Sequence, residues 1–233
     1  MTIYSRENPS PKYRELERIY RQVHETGLPD RGIAASELFT GKSLYDHIPR
    51  VRDLARISGA RTVLDYGSGK GMLYAKRNFA LADGSVVSSV QDHWGVESIS
   101  CFDPGVPEFA ALPAGPFDGV VCTDVLEHIP EEDIPWMLGE LFRLGERFVF
   151  ANIAAFPASK TLPNGWNAHV TVRPPPWWSA RIGEAAAGWR GRAYEFRVRE
   201  RKRGLVGALR KLSGLGKWKT TDISFGLDAP KAN

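Results

Sequence analysis

Asp124, Glu127 and His128 fall within one short stretch, "CTDVLEHIP" (122–130), directly after a run of apolar residues. Two carboxylates and an imidazole this close can take up a proton, ligate a divalent ion, or simply cap and pack a turn. A second imidazole, His169, lies in "NGWNAHVTV" (164–172), inside a loop rich in Pro and Trp. A group of Asp124, Glu127, His128 and His169 would suit magnesium or manganese through its oxygens, and zinc or iron through its imidazoles. Asp124, His128 and His169 are the candidate catalytic residues, with the histidines as proton acceptors. The three uses of Glu127 and His128 (turn packing, base, metal ligand) stay open at this point. Asn164, Asn167 and Arg173 are further candidate contacts to a substrate.

For these groups to meet, a strand must end at Asp124 and the loop after the next strand must open on the same side. The chain supplies the elements. "PFDGVVCTDV" is continuously apolar at its centre, as a strand buried on both faces is, and "ERFVFANIAAF" reads as the next. Between them "EEDIPWMLGELFRLG" spaces Ile134, Met137, Leu138 and Leu141 as a helix, with Pro135 in its first turn. Upstream, "RTVLDYGSGKG" (61–71) is a short strand running into a glycine turn, and "ESISCFDPGVP" is a strand ended by Asp103-Pro104. "MLYAKRNFALA" is expected to continue as a helix. Strands alternating with helices imply an α/β protein with a doubly wound, mostly parallel sheet. "AYEFRVRER" (193–201) alternates like a half-exposed antiparallel strand, and "TTDISFGL" reads as a closing strand.

The N-terminal part is helical. "PKYRELERIYRQVHE" and "SLYDHIPRVRDLARISGA" each carry one apolar face, with Gly59 as the stop of the second. Residues 1–58 are therefore expected to form a helical cap and lead-in helix, and 59–233 the main domain, with a long loop at 155–178. The chain has 233 residues and a net charge of +4, enough length for a sizeable core. Cys101 and Cys122 sit in strand-like apolar runs and read as reduced core residues. No stretch reaches the roughly 20 apolar residues of a membrane helix, and no signal core opens the chain, so a cytoplasmic protein is expected. Residues 197–219 hold nine basic residues and one acid, a solvated face or a contact for nucleic acid or an anionic membrane surface.

In "LDYGSGKG", Gly67, Gly69 and Gly71 follow a strand, where glycine lets the backbone approach a ligand closely. A carboxylate ending the next strand, as Asp103 does, can accept both hydroxyls of a ribose. The glycine spacing lacks the wide last gap of the pyrophosphate fingerprint, and Asp65 before the turn would repel a diphosphate. Lys70 is followed by Gly71, so the chain has no P-loop. Taken together, "VLDYGSGKG", "FDP" and "FDGVVCTDVLEHIP" resemble the successive motifs of class I S-adenosylmethionine-dependent methyltransferases, over roughly residues 60–155.

The resemblance implies a Rossmann-like methyltransferase fold with an antiparallel C-terminal strand, and S-adenosyl-L-methionine as cofactor. Asp65, Gly67 and Gly69 would line its methionine end, Asp103 would hold its ribose, and Asp124 would stand beside the transferable methyl group. Tyr66, Ser68, Pro104 and Thr123, within the same motifs, join the cofactor-binding set. A divalent metal (Mg, Mn or Zn) is an added candidate. Two departures stand out. Asp65 and Asp103 are 38 positions apart, where about 20 is usual, so "ADGSVVSSVQDHWG" is an inserted loop or ribbon. "PGVPEFAALPAG" is too short for a helix and a strand. The expected activity is O-methylation of a small or glycan-like hydroxylated molecule, with RNA methylation and non-catalytic cofactor binding as the alternatives.

Overall fold

The computed structural model describes residues 3–201 and 218–227. Its frame is a six-stranded sheet ordered β4-β1-β5-β6-β7-β8. The strands are β1 (Thr62–Tyr66), β4 (Ser98–Phe102), β5 (Phe117–Thr123), β6 (Gly145–Ala154), β7 (Ala193–Arg201) and β8 (Trp218–Phe225). Every pairing is parallel except β7 with β8. The chain leaves β1 toward β4 on one side and continues from β5 to β6 on the other. Such a reversal opens a crevice at the carboxyl ends of the two central strands, where ligands bind in open α/β sheets.

Strand alternation sends successive side chains to opposite faces, and each face has its own core. Leu64, Val120, Cys122, Val149 and Ala151 pack under α5 (Ile134–Leu144) and α6 (Pro175–Ala186). Val63, Val121, Phe148 and Phe150 pack against α2 (Ile48–Ser58) and α4 (Val90–Trp94). Gly59 ends α2 in the left-handed conformation, as the sequence predicts. Cys122 is buried, Cys101 half-buried, and neither is bridged.

A third core forms around the N-terminal helix. Helix α1 (Pro11–Thr26) starts at Ser10, whose Oγ accepts the Tyr13 amide at 3.0 Å, with Pro11 in its first turn. Its Leu16, Ile19 and Val23 pack with Leu38, Leu162 and Ala168, far along the chain. The segment before α1 is tied to α5. Arg6 Nε donates to Glu140 at 2.6 Å, and the Ser10 amide donates to the buried Asp133 at 3.0 Å. Residues of α1 therefore border the same cavity as the carboxyl ends of the strands.

The structure revises two local expectations. Helix α3 is only Met72–Ala75, ended by Lys76 in an extended conformation. The chain turns at Asn78, in the left-handed region, into a ribbon of β2 (Phe79–Ala80) and β3 (Val86–Val87); this ribbon and α4 account for the excess length before Asp103. Strand β7 is not half exposed: it runs parallel to β6, with Glu195, Phe196 and Val198 all buried. The antiparallel edge is β8. Of the basic stretch 197–219, residues 202–217 lie outside the described residues.

Candidate active site

At the switch point of the sheet lies a cavity of about 680 Å³, bounded by α1, the 37–43 segment, the strand ends and the 156–169 loop. Sites for cofactors and drug-sized ligands run roughly 300–1,000 Å³. Tyr66, Gly67, Gly69, Asp103, Pro104, Thr123, Asp124, His128 and His169 all border it.

One half is built from backbone. Gly67 and Gly69 have φ of 80° and 56°, a region that L side chains avoid. A Cβ on Gly67 would lie 2.2 Å from Val125 Cγ2, and one on Gly69 2.3 Å from the Phe39 carbonyl oxygen. The turn is held by Phe102, whose carbonyl accepts from Gly67 N at 2.7 Å and Ser68 N at 3.1 Å. The Asp103 carboxylate accepts one amide on each oxygen, from Gly69 and Gly105, both at 2.9 Å. Each oxygen keeps a lone pair, which fits a vicinal diol. Burial raises the Asp103 pKa while the two amides oppose the rise.

His24 completes this half, and no sequence motif marks it. It stacks on Phe39 with centroids 3.8 Å apart, and its Nε2 is 3.8 Å from Asp103 Oδ1. Its Nδ1 is buried without a partner, and burial lowers its pKa to about 4, so the ring is neutral. The helical register that puts Leu16, Ile19 and Val23 inward was the only available signal.

The other half is built from side chains. Asp124 leaves β5 at φ 62°, a strained conformation that Asp tolerates better than most residues and that clusters at functional sites. It is exposed. A single turn, Leu126–His128, follows. This turn sends Glu127 inward: the carboxylate is fully buried, Oε1 accepts the Ala154 amide at 2.7 Å, and its backbone carbonyl accepts from Thr171 N at 3.0 Å. Thr171 Oγ1 also donates to the Ile129 carbonyl at 2.6 Å. The exit of β5, the end of β6 and the long loop are thus stitched together, which brings His169 beside His128 with ring centroids 4.8 Å apart.

Both imidazoles have their tautomers set by backbone. His128 Nδ1 is 2.8 Å from the Ala168 carbonyl, and His169 Nδ1 is 2.6 Å from the Phe156 carbonyl. A carbonyl only accepts, so each Nδ1 carries the proton and each Nε2 is left with a lone pair. The Tyr20 hydroxyl, from α1, braces His128 Nδ1 at 2.6 Å. Burial first, and His169 after it, lower the His128 pKa to about 4 against the opposing pull of Asp124. Asp124, His128 and His169 each offer a ligand atom within 4.8 Å of one another.

Three sequence-predicted site residues lie apart from this constellation. Asp65, on β1, is 3% exposed and does not border the cavity; its Oδ2 accepts from the Tyr74 hydroxyl at 2.8 Å. Burial pushes its pKa up to about 7. The strand's alternation turns it away from the crevice that Gly67 opens. Ser68 is buried too, its Oγ donating to the Gly69 carbonyl at 3.2 Å. Glu127 does not join the metal-ligand group, because Ala154 N holds it inside; burial and then Asp124 raise its pKa well above the usual range. Asn164, Asn167 and Arg173 serve the loop's own structure, through Glu15, Ala158 and Glu131 respectively. Trp178 is fully buried in the core.

No family model matches the chain, and no solved structure matches it. Two curated relatives are each named ubiquinone biosynthesis O-methyltransferase. The one from Aromatoleum aromaticum is 30% identical over 143 residues, 52% of this chain and 61% of its own length. The one from Bordetella avium is 27% identical over 169 residues, 62% of this chain and 70% of its own. The matched part thus spans less than two thirds of the first relative. With the parallel sheet, the glycine turn at its switch point and the acid-ended strands beside it, this likeness supports a relation to class I S-adenosylmethionine-dependent methyltransferases.

Proposed function

We propose that the chain transfers a methyl group from S-adenosylmethionine to a hydroxyl oxygen of a small molecule. The observation that carries this reading is the convergence of His128, His169 and the Asp124 carboxylate at one wall of the cavity, each with a ligand atom within 4.8 Å of the others. Residues 1–58 act as the cap in this reading, and 59–233 as the catalytic domain.

The cofactor, when bound, supplies a methyl group already activated on a sulfonium, so the protein must align the acceptor and remove its proton. Gly67 and Gly69 let backbone amides approach the amino-acid part, and Asp103 takes the ribose hydroxyls, with His24 beside it. Asp65 supports the turn from beneath through Tyr74. At the other half, a neutral imidazole accepts the hydroxyl proton on Nε2, and the backbone carbonyl on Nδ1 steadies the imidazolium that results. Asp124 opposite it favours the same charge.

The same groups fit a divalent ion. A ligating histidine usually donates its other N–H to a carbonyl or carboxylate, which fixes the ring, and both rings here do so. Asp124, His128 and His169 would hold the ion, which would lower the pKa of an acceptor hydroxyl bound to it. Glu127 then supports the turn and is not a ligand. The glycan-like refinement loses its footing, since the Asn and Trp side chains that suggested it are engaged elsewhere. The nucleic-acid alternative rests on residues that are mostly outside the described ones.

Calorimetric titration with S-adenosylmethionine tests the reading, with Asp103→Ala as the comparison. Micromolar binding by the intact chain, weakened at least tenfold in the variant, is expected. No binding by the intact chain would remove the enzyme assignment.

A further inference from the structure

Beyond the imidazole pair, the cavity is bordered by cations that form no ion pair among the described residues. Lys160 sits on the loop after β6, in a stretch the fold holds firmly. Its carbonyl accepts the Ala168 amide at 3.1 Å, and the Asn167 side chain bonds both the amide and the carbonyl of Ala158 at 2.9 Å. Its ammonium lies near enough to act electrostatically on His128. Arg201 ends β7 with its guanidinium 5.4 Å over the Phe156 ring, and that ring is 5.8 Å from His169. Both border the cavity, as does Lys42 on the 37–43 segment.

Several cations elsewhere in the fold are in ion pairs. Arg50 and Arg197 meet Glu195, Arg147 meets Asp118, and Arg173 meets Glu131. Lys160 and Arg201 are in no ion pair among the described residues. The cavity's carboxylates are no remedy: Glu17 pairs with Arg21, Glu37 caps the Ala34 amide, Asp103 lies in the backbone-built half, and Asp124 belongs to the triad. Cations outside ion pairs at a concave site attract anionic groups, and a guanidinium and an ammonium bordering one cavity suit a planar or tetrahedral oxyanion.

Resting on the methyl-transfer reading, we propose that the acceptor carries an oxyanion, a carboxylate or a phosphate, which Lys160 and Arg201 hold next to the hydroxyl presented to Asp124, His128 and His169. The two cations set which hydroxyl faces the methyl group. They take no part in the proton transfer.

The test uses the full chain saturated with S-adenosylhomocysteine. Binding of that cofactor product is measured first, and its absence would remove the methyl-transfer reading without touching the anion site. Inorganic phosphate is then titrated by phosphorus NMR and benzoate by proton saturation transfer. Saturable binding of at least one is expected, weakened tenfold or more in the Lys160→Gln/Arg201→Gln double variant. Cofactor-product affinity and melting temperature should not change, because both side chains are exposed. Arg18→Gln, on the outer side of α1, should bind the anions as the parent does. Tighter phosphate identifies a phosphorylated acceptor, and tighter benzoate a carboxylated one. Saturable binding of neither, or equal binding by the double variant, overturns the proposal.

Discussion

The two halves of the cavity are made in different ways. Around Gly67, Gly69 and Asp103, the surface is backbone, shaped by left-handed glycines and by amides that fill one lone pair on each carboxylate oxygen. Around Asp124, His128 and His169, it is side chain, assembled from the end of β5, a turn and a loop some forty residues on, with Tyr20 of α1 as a brace. A backbone site tolerates little change in shape. A side-chain site tolerates little change in identity.

Exchange of identity at the second half should break this contrast most visibly. His128→Ala and His169→Ala are each expected to lower kcat by about 10²–10⁴, the usual worth of a positioned acid or base, while S-adenosylmethionine binds as before. If an ion is held there, excess chelator should give a comparable loss that added divalent metal reverses. A variant whose loss lies wholly in cofactor affinity would erase the distinction between halves.

Glu127 sharpens it. Glu127→Ala leaves the Ala154 amide without its acceptor, and an unsatisfied buried donor costs about 1–3 kcal/mol. A fall of several degrees in melting temperature is expected, with Glu127→Gln recovering most of it because the amide oxygen can still accept. Equal losses in both variants would show the carboxylate itself to be needed.

Protonation offers a smaller probe. His24 and His47 are buried neutral, with pKa values lowered to about 4 chiefly by burial. Unfolded, they take up protons near 6.5, so stability should be full above that pH and be lost as pH falls toward 4. Asp65 has the opposite sign: its raised pKa makes the folded chain hold a proton between about 4 and 7, so its contribution declines as pH rises through that range. Thermal melts from pH 4 to 7 should therefore show an acid loss that His47→Phe reduces, since neither of its ring nitrogens has a partner to lose. Asp65→Asn should have the least effect of all. Near pH 7 it replaces a half-protonated carboxyl by a neutral amide of the same shape, and cofactor affinity should move by less than about threefold; a large loss would return Asp65 to the ligand-binding set.

What could be read from the sequence divides along the same line. The glycine turn, Asp103 and Asp124 are local: a strand, a turn and an acid at its end are contiguous, and apolar runs mark where each strand stops. The parallel order follows from strands alternating with helices. Orientation was harder. Asp65 and Glu127 are acids in the right motifs, but one strand's alternation and one turn's rotation point them into the interior, and residue type says nothing of either. His24 was hidden because it meets Asp103 from a helix almost eighty residues earlier, and Lys160 because a lysine in a polar loop looks like any other. The short α3 was hidden because Met72, Ala75, Phe79 and Ala82 recur at helical spacing although the chain turns at Asn78.

Tyr20 and His24 are successive turns of one helix, and each leans on a different half of the cavity: the first on His128, the second beside Asp103. A rigid rod with two contact points transmits displacement between them. Any substitution that slides or tilts α1, including loss of its anchors at Glu140 and Asp133, is therefore a double injury, loosening both halves of the cavity in a single movement.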